Sequence, residues 1–165
     1  MRKQTHGFSL IELLIVVAII LIIAAIAIPN LLRSRIAANQ ASAVGSLRTF
    51  TTAEITYSAT YNVGFASDLL YLGPPAAGAM ATSTAAGLVD SILSGGGNNT
   101  SMKSGYTFVY SPGSAVNNRI DIYEFNANPT TPGTTGTNFY FTDQSGVIRQ
   151  NTTGTATSAD SPLAG

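Results

Sequence analysis

The stretch that decides the fold is the N-terminal run GFSLIELLIVVAIILIIAAIAIPN, from Gly7 to Asn30. Every residue from Leu13 to Ile28 is apolar. A helix of such residues is hydrophobic all round, as helices are in a membrane or a fully buried bundle, and about 20 apolar residues span a bilayer. The sequence therefore predicts a membrane or bundle helix in this part of the chain.

One carboxylate, Glu12, lies at the head of this run, four residues after Phe8. An unpaired acid in the bilayer costs roughly 2.5–3.5 kcal/mol on insertion scales. A cationic group about 4 Å away would contribute about 4 kcal/mol at an effective dielectric near 20, which exceeds that penalty. We therefore expect Glu12 to have a cationic partner, the alternative being an acid at headgroup level that faces water.

Two other classes of N-terminus have to be weighed for this stretch. A secretory signal peptide has a small-residue cleavage site after an apolar stretch of about 7–15 residues, whereas here the run is longer and Gly7 precedes it. A plain transmembrane anchor stays an alternative. The basic residues Arg2, Lys3 and Arg33 flank the run on both sides, so charge alone orients it only weakly.

Gly7, Phe8 and Glu12 at this spacing make the N-terminus resemble that of type IV pilins and type II secretion pseudopilins. The resemblance implies a leader peptide of residues 1–7, cleavage between Gly7 and Phe8 by a prepilin peptidase, and N-methylation of Phe8. It implies an orientation with the leader in the cytoplasm. It also implies assembly through Glu12, which would bind the Phe8 ammonium of an adjacent subunit in a filament.

Helical spacing continues past Pro29, which lacks an amide hydrogen and so predicts a bend. We expect one helix from about Phe8 to about Tyr61, with residues 8–32 in the membrane or filament core and residues 33–61 amphipathic. The predicted apolar stripe, with one polar break, comprises Leu32, Ile36, Gln40, Val44, Leu47, Thr51 and Ile55. Charged and amide residues, among them Glu54, are placed on the other faces. The family resemblance adds Pro29 to the assembly residues.

Residues 62–165 are predicted to form one globular domain. An irregular connection follows Asn62, with a short helical turn that Ser67 could cap and that Gly73 ends. Another short helix is expected over residues 85–93.

Strand patterns begin at Tyr106, because residues 106–110 alternate with three aromatic side chains on one face. A second strand is expected over 119–127 with Ile120 and Ile122 on one face, and a final hairpin over 139–149. We expect residues 151–165 to form a flexible, poorly packed tail.

These elements predict an α+β fold in which a long N-terminal helix packs against a small antiparallel sheet spanning about residues 105–150. This arrangement is that of the pilin fold. The strings GYTFVY (105–110) and FYFTDQSGVIR (139–149) are similar to the sheet of small pilins that lack a disulfide.

Composition excludes several classes of function. Charged residues make up 10% of the chain and the formal net charge is zero, so no basic face supports nucleic-acid binding. The chain has no cysteine, and its one histidine, His6, would leave with the leader. These absences argue against thiolate, Ser-His and metal-histidine chemistry, so we expect neither an enzyme nor a cofactor or metal site.

The sequence alone does not decide whether the chain binds calcium or is glycosylated. Asp143 could bind calcium, although a turn-stabilising role is favoured. Glycosylation sequons begin at Asn98, Asn99 and Asn151, and such matches arise by chance in a Thr- and Ser-rich chain.

The functional hypothesis is a structural subunit of a type IV pilus-like filament. Its expected partners are further copies of the chain, the prepilin peptidase and N-methylase, and inner-membrane assembly machinery. The expected location is the inner membrane as a single-pass precursor, then a surface pilus. The alternatives are a type II secretion pseudopilin in the periplasm and an anchored domain that does not polymerise. Motility, adhesion, DNA uptake and secretion are not distinguished.

Overall fold

A computed structural model describes residues 8–163 of the chain, which form one long helix and one sheet. In chain order the elements are α1 (Leu10–Tyr61), a short 3-10 helix (Leu69–Leu72), β1 (Thr100–Lys103), β2 (Tyr106–Pro112), β3 (Tyr123–Pro129), β4 (Phe139–Asp143) and β5 (Arg149–Asn151). The strands form one antiparallel sheet in the order β1-β2-β3-β4-β5. The predicted α+β class is confirmed.

The chain divides into two compact units between Arg35 and Ile36. In the first unit, the described residues 8–35 are exposed except for Ala24, which is half-buried. The helix is long and apolar enough there to cross a membrane. It is continuous through Pro29, and the bend expected at this residue stays a prediction.

The second unit contains the rest of α1 and the sheet, and it has its own hydrophobic core. The buried residues of α1 are Ala43, Ser46, Leu47, Phe50, Ala53, Glu54 and Tyr57. The stripe predicted from sequence is therefore rotated, since Leu47 is buried while Ile55 is 59% exposed. The large ring of Phe50 sets the inward face, because it stacks on Phe125 of β3 with ring centroids 4.4 Å apart.

Strand β2 follows the predicted alternation, with Tyr106, Phe108 and Tyr110 buried. The structure adds a strand before it, β1, whose polar sequence TSMK shows no apolar alternation. Ser104 and Gly105 join the two strands with φ angles of 50° and 71°. Positive φ at both positions is the geometry of a type I′ hairpin turn.

Strand β3 differs from the expectation in its start and its inward face. It begins at Tyr123, and its buried residues are Tyr123, Phe125, Ala127 and Pro129. The prediction that Ile120 and Ile122 share a face of this strand is wrong. Ile122 is 55% exposed, and Ile120 instead pairs through its backbone with Gly64, since the aromatic residues of β3 occupy the space against α1.

The segment between α1 and β1 is irregular, as predicted, but its details differ. Asp68 rather than Ser67 caps the 3-10 helix, because its Oδ1 accepts a hydrogen bond from the Leu70 amide at 2.8 Å. The helix expected over 85–93 is wrong. The amides of Ala86, Leu88 and Val89 donate to carbonyls of the 3-10 helix instead of forming helical bonds; Leu88, for example, donates to Leu72 O at 2.9 Å.

The tail packs against the sheet over its described part, up to residue 163. Ala156 is buried, and its carbonyl accepts a hydrogen bond from the Asn126 side chain at 2.8 Å. The Leu163 amide donates to Ile148 O at 2.7 Å. The expectation of a poorly packed tail is therefore wrong for residues 151–163, because these polar contacts and one small buried residue fix it to β3 and to the chain just before β5.

Candidate assembly site

Ser9 and Glu12 form one of the two hydrogen bonds of a capping box at the start of α1. Ser9 directly precedes the first helical residue, and its backbone amide donates to Glu12 Oε2 at 2.9 Å. The pattern Ser9-x-x-Glu12 is the sequence signal for this motif, in which the acid satisfies an amide that the helix leaves unpaired. Sequence reasoning assigned Glu12 an ammonium partner, that of Phe8 or of Phe8 in an adjacent subunit, and missed Ser9.

Phe8 and Glu12 are both on the surface of the first unit. Phe8 is 81% exposed and Glu12 is exposed as well. The bond to Ser9 engages one oxygen of the Glu12 carboxylate. Gly7 and the leader peptide lie outside the described residues, and cleavage there, like N-methylation of Phe8, stays a prediction.

The apolar residues of the first unit face outward on every side of the helix. The exposed members are Leu10, Ile11, Leu13, Leu14, Ile15, Val16, Val17, Ile19, Ile20, Leu21, Ile22, Ile23, Ile26, Ile28, Leu31 and Leu32. Soluble monomers rarely expose contiguous apolar patches above a few hundred Å². This surface therefore requires lipid or other chains as its surroundings.

Pro29 interrupts the hydrogen bonding of this helix at one point. A proline has no amide hydrogen, so the Ala25 carbonyl lacks its usual helical donor. A second local perturbation follows, where the Ser34 hydroxyl donates to Asn30 O at 3.0 Å. The part of Pro29 in assembly stays a prediction.

A buried carboxyl lies in the second unit, where sequence reasoning expected an exposed one. Glu54 is fully buried, and burial raises its pKa from 4.5 to about 7 because the charged form loses its hydration. The hydrogen bond from the Ala66 amide to Glu54 Oε2 acts in the opposite sense and lowers the pKa. The missed signal was spacing, since Glu54 lies four residues after Phe50 and three before Tyr57 on the same face.

The acids considered for calcium binding are dispersed. Within residues 8–163, no three His, Cys, Asp or Glu side chains come together as metal ligands. Asp143 Oδ1 accepts a hydrogen bond from the Ser145 amide at 2.8 Å, which stabilises the turn after β4. Glu124 lies directly opposite Asp143 on β3.

The three sequons differ in the environment of their asparagines. Asn99 Oδ1 accepts from the Leu69 amide at 2.9 Å, and Asn151 is bonded to both Asp160 and Thr153. Asn98 is exposed in the preceding turn. Modification at any of them stays a prediction.

Comparison with known proteins identifies the N-terminal segment. Residues 2–28 match the family model described as the prokaryotic N-terminal methylation motif. The chain is 46% identical over 56 residues to the type IV major pilin protein PilA of Myxococcus xanthus, a match covering 34% of this chain and 26% of that protein. It is 62% identical over 37 residues to the type IV wide pilus major component PilA4 of Thermus thermophilus, covering 22% of this chain and 28% of that protein.

The matches thus span about a quarter of the length of these curated relatives. No solved structure matches the chain significantly. The matched family motif lies at the head of the exposed apolar helix, and the described fold is a long helix with an antiparallel sheet. The N-terminal segment of this chain therefore carries the prokaryotic N-terminal methylation motif and is similar to the corresponding segment of two type IV pilus major subunits.

Proposed function

We propose that this chain is a structural subunit of a type IV pilus-like filament, built from many copies that pack through their N-terminal helices. One observation supports this role above all others. The prepilin motif heads a helix whose apolar residues are exposed on every side, while residues 36–163 have a core of their own. Such a helix needs lipid or other chains around it. The proposed role is structural and involves no catalysis.

The proposal includes a life cycle for the precursor. The apolar helix would hold the chain as a single-pass protein in the inner membrane, with residues 1–7 on the cytoplasmic side. A prepilin peptidase would cleave after Gly7 and methylate Phe8, and inner-membrane machinery would move the mature subunit into a surface filament. The family match over residues 2–28 supports this processing.

Within the filament, Glu12 would set the register between adjacent copies. The described hydrogen bond to Ser9 uses one carboxylate oxygen and leaves room for a second contact. The Phe8 ammonium of an adjacent copy is a suitable partner, because an ion pair at about 4 Å contributes about 4 kcal/mol at an effective dielectric near 20. Removing the acid alone would leave that ammonium buried without a partner, which is worse than losing both charges.

Cells that produce only one variant at a time test this assignment. Surface filaments are counted by electron microscopy, and membrane-retained subunit is measured in parallel. Glu12→Ala should abolish or strongly reduce filaments while the subunit stays in the membrane. Glu124→Gln, a charge loss on the sheet, is the matched control and should assemble normally. Wild-type filament numbers with Glu12→Ala would contradict the register role of Glu12, whereas a wild-type chain that forms no filaments would favour the anchored domain that does not polymerise.

A second variant separates the ionic role of Glu12 from its capping role. Glutamine also serves in capping boxes, so Glu12→Gln keeps the bond to Ser9 and loses the charge. If charge sets the register, Glu12→Gln should also be defective. If Glu12→Gln assembles normally and Glu12→Ala does not, the cap alone explains the phenotype and the ionic role is refuted.

Processing has its own test. Intact-mass analysis of sheared surface filaments should give a chain that begins at Phe8 with one added methyl group. Gly7→Val should trap the uncleaved precursor in the membrane. Filament protein that begins at Met1 would refute the processing step, and a processed subunit found only in the periplasm would favour the pseudopilin.

A further inference from the structure

The buried carboxyl of Glu54 joins the helix to the segment that follows it. Glu54 Oε2 accepts a hydrogen bond from the Ala66 amide at 2.9 Å. The carbonyl of the same residue, Ala66, accepts one from the Tyr110 hydroxyl of β2 at 2.5 Å. Both backbone polar groups of Ala66 are therefore bonded to side chains of the core, one on α1 and one on the sheet.

The second oxygen of this carboxyl is not satisfied in the same way. Glu54 Oε1 is buried and has no hydrogen-bond partner among the described residues. The Tyr110 hydroxyl lies beside the carboxyl but donates its hydrogen to Ala66 O. An ionised carboxylate would thus hold a buried charge with one oxygen unpaired, which is costly in a core.

A protonated carboxyl fits these surroundings better. A hydrogen on Oε1 would find the oxygen of Tyr110 as its acceptor. The ring of bonds would then run from Glu54 to Tyr110, from Tyr110 to Ala66 O, and from Ala66 N back to Glu54. Every polar group in the ring would be satisfied, and no charge would be buried.

The groups that face Glu54 do not offset a negative charge. They are Tyr57 on α1, Tyr110 on β2 and Tyr123 on β3, all neutral acids whose own pKa values burial raises. Glu54 takes part in neither ion pair found within residues 8–163. A carboxylate here has only hydrogen-bond donors to stabilise it.

We propose that protonated Glu54 latches the connecting segment, residues 62–68, onto the core and that the latch loosens as the medium changes from mildly acidic to neutral. Residues 62–68 also contact Ile120, and we expect these contacts to break together when the segment opens. The Phe65 amide donates to Ile120 O at 2.8 Å, and Gly64 pairs with the same residue. Opening would hydrate Glu54 and free Ala66 while leaving the strand pairs intact. This inference is independent of filament assembly.

The direction of the pH effect follows from the two ionisation states. Burial raises the pKa of Glu54 to about 7 in the closed form, against 4.5 when the side chain is exposed to water. The closed form therefore holds the proton more tightly than the open one. The latch is complete below about pH 4.5 and weakens as the pH rises to about 7, by roughly tenfold in the opening equilibrium per pH unit.

Hydrogen–deuterium exchange of the full chain in nonionic detergent micelles measures this opening directly. After correction for intrinsic exchange, the protection of the Ala66 amide should fall on the order of 100-fold between about pH 4.5 and about pH 7.5. Protection in β2 and β3 should change much less. Glu54→Gln should remove the pH dependence, whereas the control Glu124→Gln should keep it.

A second measurement uses the unaltered chain and does not depend on the variant folding. Carbon-13 NMR of the side-chain carboxyls should show Glu54 titrating near neutral pH. Titration of Glu54 below about pH 5 would overturn the proposal. Equal protection of the Ala66 amide at both pH values would overturn it as well.

Discussion

The two halves of α1 belong to one continuous helix, yet they bury their side chains against different surroundings. In residues 10–35 every apolar side chain except the half-buried Ala24 is exposed, and no face is distinguished from another. In residues 36–61 one face is buried against the sheet, with Leu47 and Phe50 fully inaccessible. The other face is exposed and consists mainly of Thr, Ala and Arg side chains. The first half depends on lipid or other copies for its burial, whereas the second half is stabilised within its own unit.

This difference shows that exposure has opposite meanings in the two halves. An exposed threonine near residue 52 is a solvent-facing side chain that tolerates change. An exposed isoleucine near residue 20 is in contact with whatever surrounds the helix in its working state. Substitutions at equally exposed positions should therefore differ most in effect between the halves.

The largest expected effect comes from a charge placed in the first half. Ile20→Arg should reduce membrane insertion and eliminate filaments, because a buried arginine costs roughly 2.5–3.5 kcal/mol on insertion scales. Thr52→Arg is the control, and it should change the free energy of unfolding by less than about 0.5 kcal/mol. Filament counts and membrane-retained subunit measure the effect of Ile20→Arg, and both should be normal for Thr52→Arg, whose free energy of unfolding is measured by denaturation. Normal filaments with Ile20→Arg would show that the first half is not buried in the assembly.

The next effect concerns the inward face of the second half. Phe50→Ala should lower the free energy of unfolding by about 3–5 kcal/mol, because it leaves a cavity where the ring stacks on Phe125. Ile55→Ala, at an exposed position on the same helix, should change it little. Chemical denaturation of the full chain in detergent, followed by near-UV circular dichroism, distinguishes the two. Equal losses of stability in the two variants would mean that the face of α1 that carries Phe50 is not the buried one.

Glu54→Gln should act through pH. The folded pKa of about 7 lies above the value of 4.5 for the solvated group, so the wild-type chain loses stability as the pH rises through this window. The loss amounts to about 3 kcal/mol by pH 8, and the glutamine variant should not show it. Unfolding midpoints of the two chains should coincide in acid, diverge between about pH 4.5 and about pH 7, and keep a constant difference at higher pH. Parallel curves for the two chains would contradict this linkage.

The smallest effect is expected in the tail. Ending the chain after Gly154 removes the carbonyls that accept hydrogen bonds from Asn126 and Arg149. Leaving half-buried donors unpaired should cost about 2 kcal/mol in the free energy of unfolding. Filament formation should persist, since the first half is untouched. An unchanged unfolding midpoint would mean that the tail does not contribute to stability, as expected from the sequence.

The sequence predicted those elements whose pattern is strong and local. The apolar run after Glu12 and the aromatic alternation from Tyr106 indicated a long helix and an antiparallel sheet, and the structure confirms both. The failures have a common physical origin in contacts between distant segments. Glu54 is buried because Ala66 and Tyr110 meet it, and β1 forms because β2 offers it a partner.

The candidate site was predicted in part. The positions of Gly7, Phe8 and Glu12 suggested processing and assembly, and the family match agrees with the motif as a whole. The bond between Ser9 and Glu12 was readable from their spacing but was overlooked, since an intermolecular partner for Glu12 was sought first. The proposed roles of single residues involve contacts with other copies of the chain and with a processing enzyme. The sequence of one chain does not show such contacts.

The order of the strands has a consequence for the kinetics of folding. Each strand pairs only with its neighbours in sequence, from β1 through β5. Every pairing therefore closes a short loop, which loses little chain entropy and favours rapid folding. We expect the sheet to form hairpin by hairpin. The docking of residues 43–57 of α1 onto the buried face of the sheet should be the slower step. In pulsed exchange during refolding, the amides of β2 and β3 should become protected before the Ala66 amide.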